Sequence, residues 1–349
     1  MRDKYDFVYL TNTPSFYKLN LCNEIARTHS LLLVLYGYGS EAVNKELSEE
    51  SHYNFDFHFI NKGDSNARNK ILTYWKLLQF MSKLQFTKII YSGWIAPEYI
   101  LYSFISSRQK NVVLSESSVW DVSFKGMKGI VKKLFINRMS VALPSGTPHE
   151  ELFKNIGFKG DIHLTGGVGI FYKPNRKNVP KVKNEPLRYI YVGRLIHVKN
   201  VEYLVEVFNK NGKLLTIVGV GELEMSLKSL ANDNITFMGF IDNDRLGEIY
   251  REHDVFILPS TLEPWGLVVD EALYWGLPVI ASNRVGAGFD LVTGNNAGLI
   301  FDLSDATGLS DAIVKMEENY DYYKSQVDQI DFEERDRMQV KVYTDLIIK

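Results

Sequence analysis

Cysteine is nearly missing from this chain: Cys22 stands alone among 349 residues. No internal disulfide can form and a cysteine-rich metal site is excluded, so a reducing cytoplasm is the simplest setting. Long hydrophobic runs are missing too, and no uncharged apolar stretch approaches the ~20 residues needed to span a bilayer. The first ten residues carry charges and pass directly into an extended apolar pattern, without the apolar region of a secretory signal. Net charge is only −2, which demands no nucleic-acid partner. The seven histidines show no metal-ligand spacing, and no short repeat or low-complexity tract stands out. What is there is ordinary globular composition, 45% hydrophobic and 23% charged, in a chain long enough for two domains. Lys and Arg outnumber Asp and Glu in residues 1–170, and the balance reverses in 171–349. That asymmetry fits two lobes with different surroundings.

In the first lobe, residues 7–10, 31–35, 88–91 and 111–114 read as strands, with shorter ones at 141–143 and 162–164. Helices are expected at 19–27, 71–84 and 99–106, whereas the polar stretch 38–70 gives no assignment. Strands alternating with helices argue for an α/β fold with a parallel sheet and crossover helices. Residues 173–186 contain three prolines, many charges and little apolar periodicity, which marks an interdomain linker. The pattern then restarts with six strands at 189–192, 214–218, 235–237, 255–258, 279–281 and 298–301. Helices are expected between them at 201–209, 222–231, 244–252 and 266–275. This is a second doubly wound domain, a type that binds ligands beyond the carboxyl ends of its strands. The divisions are therefore 1–172, a linker at 173–186, 187–328, and a C-terminal segment 329–349 whose helix is expected to pack back towards the first domain.

The most informative stretch is Glu263-Pro-Trp-Gly-Leu-Val-Val-Asp-Glu271, directly after the apolar run 255–259. It reads as strand, tight loop and helix. A helix beginning there aims free N–H groups and partial positive charge at the loop, which suits a phosphate. The eight positions from Glu263 to Glu271 span at most ~12 Å at helical rise, roughly the reach from a sugar across a diphosphate to a ribose. The plainer reading makes Glu263 a helix cap and Glu271 a surface residue. A second cationic loop, Gly193-Arg-Leu-Ile-His-Val-Lys-Asn200, follows the strand at 189–192. Arg194 and Lys199 suit a diphosphate, one as a fork and one as a point charge. Taken alone, two solvated loop charges is the simpler account. Their joint occurrence with the Glu263–Glu271 segment, at corresponding loops of one doubly wound domain, favours a site. Gly219-Val-Gly221 superficially suggests a dinucleotide fingerprint, but it follows a mid-domain strand and lacks the third glycine, which argues against a dehydrogenase.

Those two loops, with Ile217-Val-Gly-Val-Gly221, Phe237-Met-Gly-Phe-Ile-Asp242 and Ala272-Leu-Tyr-Trp-Gly-Leu-Pro-Val279, make the second lobe resemble the GT-B superfamily, specifically the family-4 type of retaining glycosyltransferase. The first lobe matches more loosely, through its opening strand, Pro14-Ser-Phe-Tyr17 and Thr165-Gly-Gly-Val-Gly-Ile-Phe171. The resemblance implies a GT-B fold of two Rossmann-like domains facing a central cleft. It also implies transfer of a sugar from a nucleotide-diphosphate donor, a UDP- or GDP-sugar, to an acceptor hydroxyl, with retention and without a cofactor or essential metal. Carried over by residue, Gly193 turns the first loop, Arg194 and Lys199 hold the diphosphate, and Glu263 meets donor-sugar hydroxyls. Main-chain amides of Trp265, Gly266, Leu267 and Val268 meet the sugar and β-phosphate. Glu271 accepts from the ribose hydroxyls, and Phe240 and Ile241 lie by the base. Pro14, Ser15 and Tyr17 become acceptor-side or interlobe candidates.

Two departures matter. Many relatives carry a Gly-Gly pair after the first strand, where this chain has Thr11-Asn-Thr-Pro-Ser15. Many place a His after the strand equivalent to 111–114, where this chain has Leu114-Ser-Glu-Ser-Ser118, so Glu116 is a candidate substitute or else a loop carboxylate. The segment 124–135 alternates basic and apolar residues. Lys125, Lys128, Lys132 and Lys133 suit the cytoplasmic face of an anionic membrane and a lipid-linked acceptor in cell-surface polysaccharide assembly. The alternative is an ordinary amphipathic core helix with solvated lysines. The rival functions are another GT-B activity, phosphorylase or nucleotide-sugar epimerase, and a catalytically silent sugar-nucleotide-binding protein.

Overall fold

The computed structural model describes residues 3–12, 15–37, 53–61, 63–64, 67–94, 96–171, 173 and 183–348. The chain divides into two compact units, residues 1–172 together with 333–349, and residues 173–332. Most of the linker 173–186 and the candidate Pro14 lie outside the described residues.

The first unit is a seven-stranded parallel sheet. Its strands are β1 (Asp3–Thr11), β2 (Leu31–Leu35), β3 (Asp56–Phe59), β4 (Leu84–Ser92), β5 (Asn111–Ser115), β6 (Val141–Pro144) and β7 (Asp161–Ile162), in the spatial order β3-β2-β1-β4-β5-β6-β7. A parallel sheet is covered on both faces, so its central strands are apolar almost throughout; all five residues of β2 are buried. Side chains alternate between the faces. Val8 and Leu10 enter one core beneath the helices Lys70–Met81, Pro97–Ile105, Gly126–Ile136 and Thr147–Asn155. Phe7 and Tyr9 enter the opposite core with Leu19, Cys22 and Ile25 of the helix Phe16–Ile25, and with Tyr343 and Leu346 of the C-terminal helix Phe332–Ile348.

The second unit repeats the plan with six parallel strands. They are β8 (Arg188–Val192), β9 (Leu214–Val218), β10 (Ile235–Gly239), β11 (Val255–Leu258), β12 (Val279–Ser282) and β13 (Gly298–Phe301), in the order β10-β9-β8-β11-β12-β13. In both sheets the strand order reverses once, between β1 and β4 and between β8 and β11. At such a reversal the connecting helices leave on opposite faces of the sheet, and the strand ends open onto a crevice.

The strand β3 and the length of β4 were not visible in the sequence. β3 is a short edge strand with exposed Asp56 and Phe57, so no burial imposes an apolar pattern on it. The Gly126–Ile136 helix departs from the core-helix expectation. Only Gly129, Phe135 and Ile136 are buried, while Met127, Ile130, Val131 and Leu134 face outward.

Candidate functional site

The reversal in the second sheet gathers the two loops singled out from the sequence. Gly193 leaves β8 and donates its N–H to the Val218 carbonyl at 3.0 Å, and Leu195 donates to Val220 at 3.0 Å. Backbone therefore lies against backbone as β8 and β9 end. At Gly219 φ is +135°, and a Cβ there would stand 1.9 Å from the Gly193 carbonyl oxygen. Close packing, rather than a dinucleotide, explains why Gly219 is a glycine. The buried Tyr191 hydroxyl donates to the Arg194 carbonyl at 3.0 Å, leaving the Arg194 side chain exposed. One tight turn, His197–Lys199, brings Lys199 inward, and Asn200 follows in the left-handed region at φ 56°. The Asn200 amide donates to the Pro259 carbonyl at 3.2 Å, and the Thr261 N–H donates to Val198 at 2.9 Å. These bonds tie the loop after β8 to the loop after β11. His197 is solvent-facing and reaches Glu202 at 3.0 Å.

Lys199 and Glu263 form a direct ion pair, each side chain only 13% exposed. The Glu263 backbone is fixed on both sides, its N–H donating to Arg284 and its carbonyl accepting from Gly286, each at 2.9 Å. Gly266, at φ 97°, turns the chain into the helix Leu267–Tyr274, and a Cβ there would press on Glu263, Leu258 and Val285 at 3.1–3.3 Å. No side chain caps this helix, and while the Val269 N–H turns back to the Gly266 carbonyl at 2.8 Å, the N–H groups of Leu267 and Val268 precede that bond at the helix start. The Trp265 ring is buried, its Nε1 donating to Asp270 Oδ2 at 2.9 Å, so it offers the loop only main chain. Leu267 and Val268 are half-buried in the first turn. Glu271, one helical turn further on, accepts from the buried Tyr250 hydroxyl at 3.4 Å. Burial, with neighbouring Asp270 adding to it, pushes the Glu271 carboxyl up to about 7, against a small opposing effect of the Tyr250 bond. Phe240 is 69% exposed just beyond β10, with Ile241 half-buried after it.

The reversal in the first sheet has a recess of its own, about 180 Å³, lined by Thr11, Asn12, Ser92, Trp94 and Ser115–Ser117. Inside it Lys18 binds Glu116 at 2.8 Å and approaches Ser92 Oγ at 3.4 Å. Burial alone would lower Lys18, but Glu116 and Tyr17 outweigh it and hold the ammonium above its ordinary range. Ser15 takes the N-cap position of the Phe16–Ile25 helix without a side-chain cap bond. The Tyr17 carbonyl accepts from the Ile170 N–H at 3.0 Å, and Asn20 donates to the Ile170 carbonyl at 2.9 Å. Thus the Thr165–Phe171 segment is fastened to the first helix. Sequence reasoning singled out Glu116 but missed Lys18, Tyr250 and Asp270. Lys18 carried a signal: a lysine in the first turn of a helix opposes the helix dipole and needs a local carboxylate to account for it.

Residues 173–331 match the family model described as Glycosyl transferases group 1. That match spans nearly the whole of the second unit. Sequences similar to this chain include an uncharacterized glycosyltransferase, MJ1607, of Methanocaldococcus jannaschii. It is 32% identical over 111 residues, which cover 29% of this chain and 28% of that protein. The O-antigen biosynthesis glycosyltransferase WbnH of Escherichia coli is 31% identical over 187 residues, 52% of each chain. These alignments span between about a quarter and a half of the curated relatives. The fold likeness extends further. The lipopolysaccharide outer core galactosyltransferase WaaB, in its apo form, superposes with a TM-score of 0.71 at 14% identity, covering 99% of both chains. Anabaena Alr3699/HepE in complex with UDP-glucose gives 0.71 at 16% identity, covering 98% of this chain and 100% of that one. The architecture is the GT-B fold.

Proposed function

We propose that the protein is a retaining glycosyltransferase that moves a sugar from a nucleotide-diphosphate donor to an acceptor hydroxyl, in the assembly of a bacterial cell-surface polysaccharide. The observation that carries this reading is the pairing of Lys199 with Glu263 beside an uncapped helix start, at the strand reversal of a group 1 domain. In the reaction the bond from the anomeric carbon to the diphosphate breaks and a bond to the acceptor oxygen forms. Negative charge grows on the departing diphosphate. Lys199, Arg194 and the amides of residues 265–268 are placed to meet it with fixed charge and dipoles, which need little rearrangement as the reaction proceeds. On this reading no metal is needed for that step. Glu263 takes hydroxyls of the donor sugar, and its pairing keeps Lys199 compensated before the diphosphate arrives. Glu271 takes the ribose hydroxyls, and Phe240 with Ile241 flanks the base. The complex of HepE with UDP-glucose supports a UDP-sugar as the first donor to try. Glu116, held by Lys18, serves the acceptor in the first unit, with Ser15 and Tyr17 beside it. A lipid-linked acceptor at the inner membrane face completes the reading, and it draws on the O-antigen and lipopolysaccharide assignments of WbnH and WaaB.

The test is thermal unfolding against a panel of UDP-, GDP- and ADP-sugars, each with and without chelator. A donor at a hundred times its dissociation constant stabilises by ~2.7 kcal/mol. One base class should raise the midpoint, equally with chelator, and Lys199→Ala should abolish the rise. Stabilisation that requires a divalent cation, or that survives Lys199→Ala, overturns the reading. Turnover with inorganic phosphate, or without any acceptor, would instead mark a phosphorylase or an epimerase.

A further inference from the structure

Three neighbouring helices on one face of the first unit's sheet turn apolar side chains to the outside. The helix Lys70–Met81 buries Thr73, Leu77 and Met81 yet exposes Ile71, Leu72 and Trp75, the last by 63%. The helix Pro97–Ile105 packs beside it and exposes Leu101, Phe104 and Ile105. The helix Gly126–Ile136 packs beside that one and exposes Met127, by 84%, with Ile130, Val131 and Leu134 at the i, i+3, i+4, i+7 spacing of a single stripe. Each helix thus has two apolar sides, one facing its own core and one facing solvent. Adjacent exposed large side chains of this number exceed what scattered surface apolar residues account for and mark an interaction surface.

The charges on these helices identify the partner. Lys70–Met81 and Gly126–Ile136 contain no Asp or Glu. The one carboxylate of Pro97–Ile105, Glu98, is 1% exposed and bound to Arg68 at 2.8 Å. The exposed charges are all cationic, including Lys70, Lys76, Lys128 and Lys133. We propose that this three-helix face docks on an anionic lipid bilayer, with Trp75, Ile105 and the 127–134 stripe entering the acyl boundary and the lysines reaching the headgroups. A second copy of the chain fits poorly. A two-fold contact through this face would set lysine against lysine with no carboxylate on either side. The proposal rests on this surface alone and does not require the sugar-transfer reading.

Vesicle sedimentation of the full chain tests it, comparing phosphatidylglycerol-containing with pure phosphatidylcholine vesicles. The chain should sediment with the anionic vesicles, less so as salt rises, and tryptophan emission should shift to the blue. Trp75 is the exposed member of the five tryptophans, so Trp75→Phe should remove the shift. Ile130→Ser with Leu134→Ser should release the chain from the anionic vesicles. Lys128→Gln, Lys132→Gln and Lys133→Gln together should weaken partitioning about a hundredfold, at ~1 kcal/mol per lysine. All these positions lie outside the core, so circular dichroism should be unchanged and a loss of binding is not a loss of fold. The proposal fails if the chain ignores anionic vesicles, if it binds both kinds equally with the lysine triple variant unaffected, or if it only self-associates.

Discussion

Neutralising Lys199 and Glu263 separately and together distinguishes a structural pair from a working one. Each side chain is 13% exposed. Breaking a fully buried pair by removing one partner costs ~3–5 kcal/mol, and breaking an exposed one ~0–1. This pair lies between those limits, so Lys199→Met or Glu263→Gln should each cost roughly 2–3 kcal/mol. In a unit of this size that lowers the unfolding midpoint by roughly 5–10 °C. The double variant leaves no uncompensated charge and keeps the side-chain volumes close. It should return to within ~1 kcal/mol of the parent, giving a coupling energy of a few kcal/mol. Donor binding should behave differently. Lys199 is assigned to the diphosphate and Glu263 to the sugar, so all three variants should lose donor-induced stabilisation, the recovered double included. Thermal unfolding read with and without the identified donor gives both quantities in one experiment. If the two single losses simply add, no pair exists in solution. If the recovered double variant still binds donor as the parent does, the pair is structural and the site lies elsewhere.

Two further variants probe the same unit. Glu271 has its carboxyl pushed up to about 7, so the fold favours its neutral form. Its contribution to stability is then fullest below the unfolded value of ~4.3 and falls as pH rises to about 7, by up to ~3 kcal/mol. Hydroxyl donors prefer the carboxylate, so donor affinity should rise through the same region. Glu271→Gln should flatten both profiles, and unaltered slopes in unfolding and binding titrations would show that another group is responsible. Gly219→Ala places a methyl where a Cβ stands 1.9 Å from the Gly193 oxygen, at a φ that side chains rarely adopt. Backbone strain alone is ~1–3 kcal/mol. The midpoint should fall by several degrees, and donor binding should weaken through the displaced loop before Arg194; a parent-like midpoint would contradict the described packing.

How much of this was legible in the sequence depended on whether burial left a pattern. β2, β11 and β12 are covered on both sides and read as continuous apolar runs. The edge strand β3 has one side on solvent and left none. The Glu263–Glu271 loop was readable because Gly266 and Gly276 bracket a short helix whose backbone needs positive φ at both ends. Partner choice was not readable. Nothing in the spacing of Lys199 and Glu263, or of Lys18 and Glu116, announces that they meet; parallel strand order brings them together from distant parts of the chain. The outward stripe of the Gly126–Ile136 helix was equally hidden, because apolar residues at helical spacing look the same whether a core or a bilayer covers them.

The two sheet reversals suggest why a lysine sits with a glutamate in each unit. A crevice at a strand reversal is lined by free backbone N–H groups at helix starts, and it carries positive potential before any side chain is added. A lone lysine there would be half desolvated and uncompensated, destabilising the empty protein. Pairing it with a carboxylate neutralises it until a ligand brings its own negative charge or its own hydroxyl donors. In the second unit the Lys199 partner, Glu263, is held by backbone bonds on both sides, so on the proposed reading an incoming diphosphate would draw the lysine while the carboxylate stays in place for hydroxyls. In the first unit Glu116 lies on a loop and is more exposed than Lys18, at 32% against 13%. There the carboxylate is the freer partner. Substituting Lys18 should therefore impair whatever Glu116 does, while leaving donor affinity in the second unit untouched.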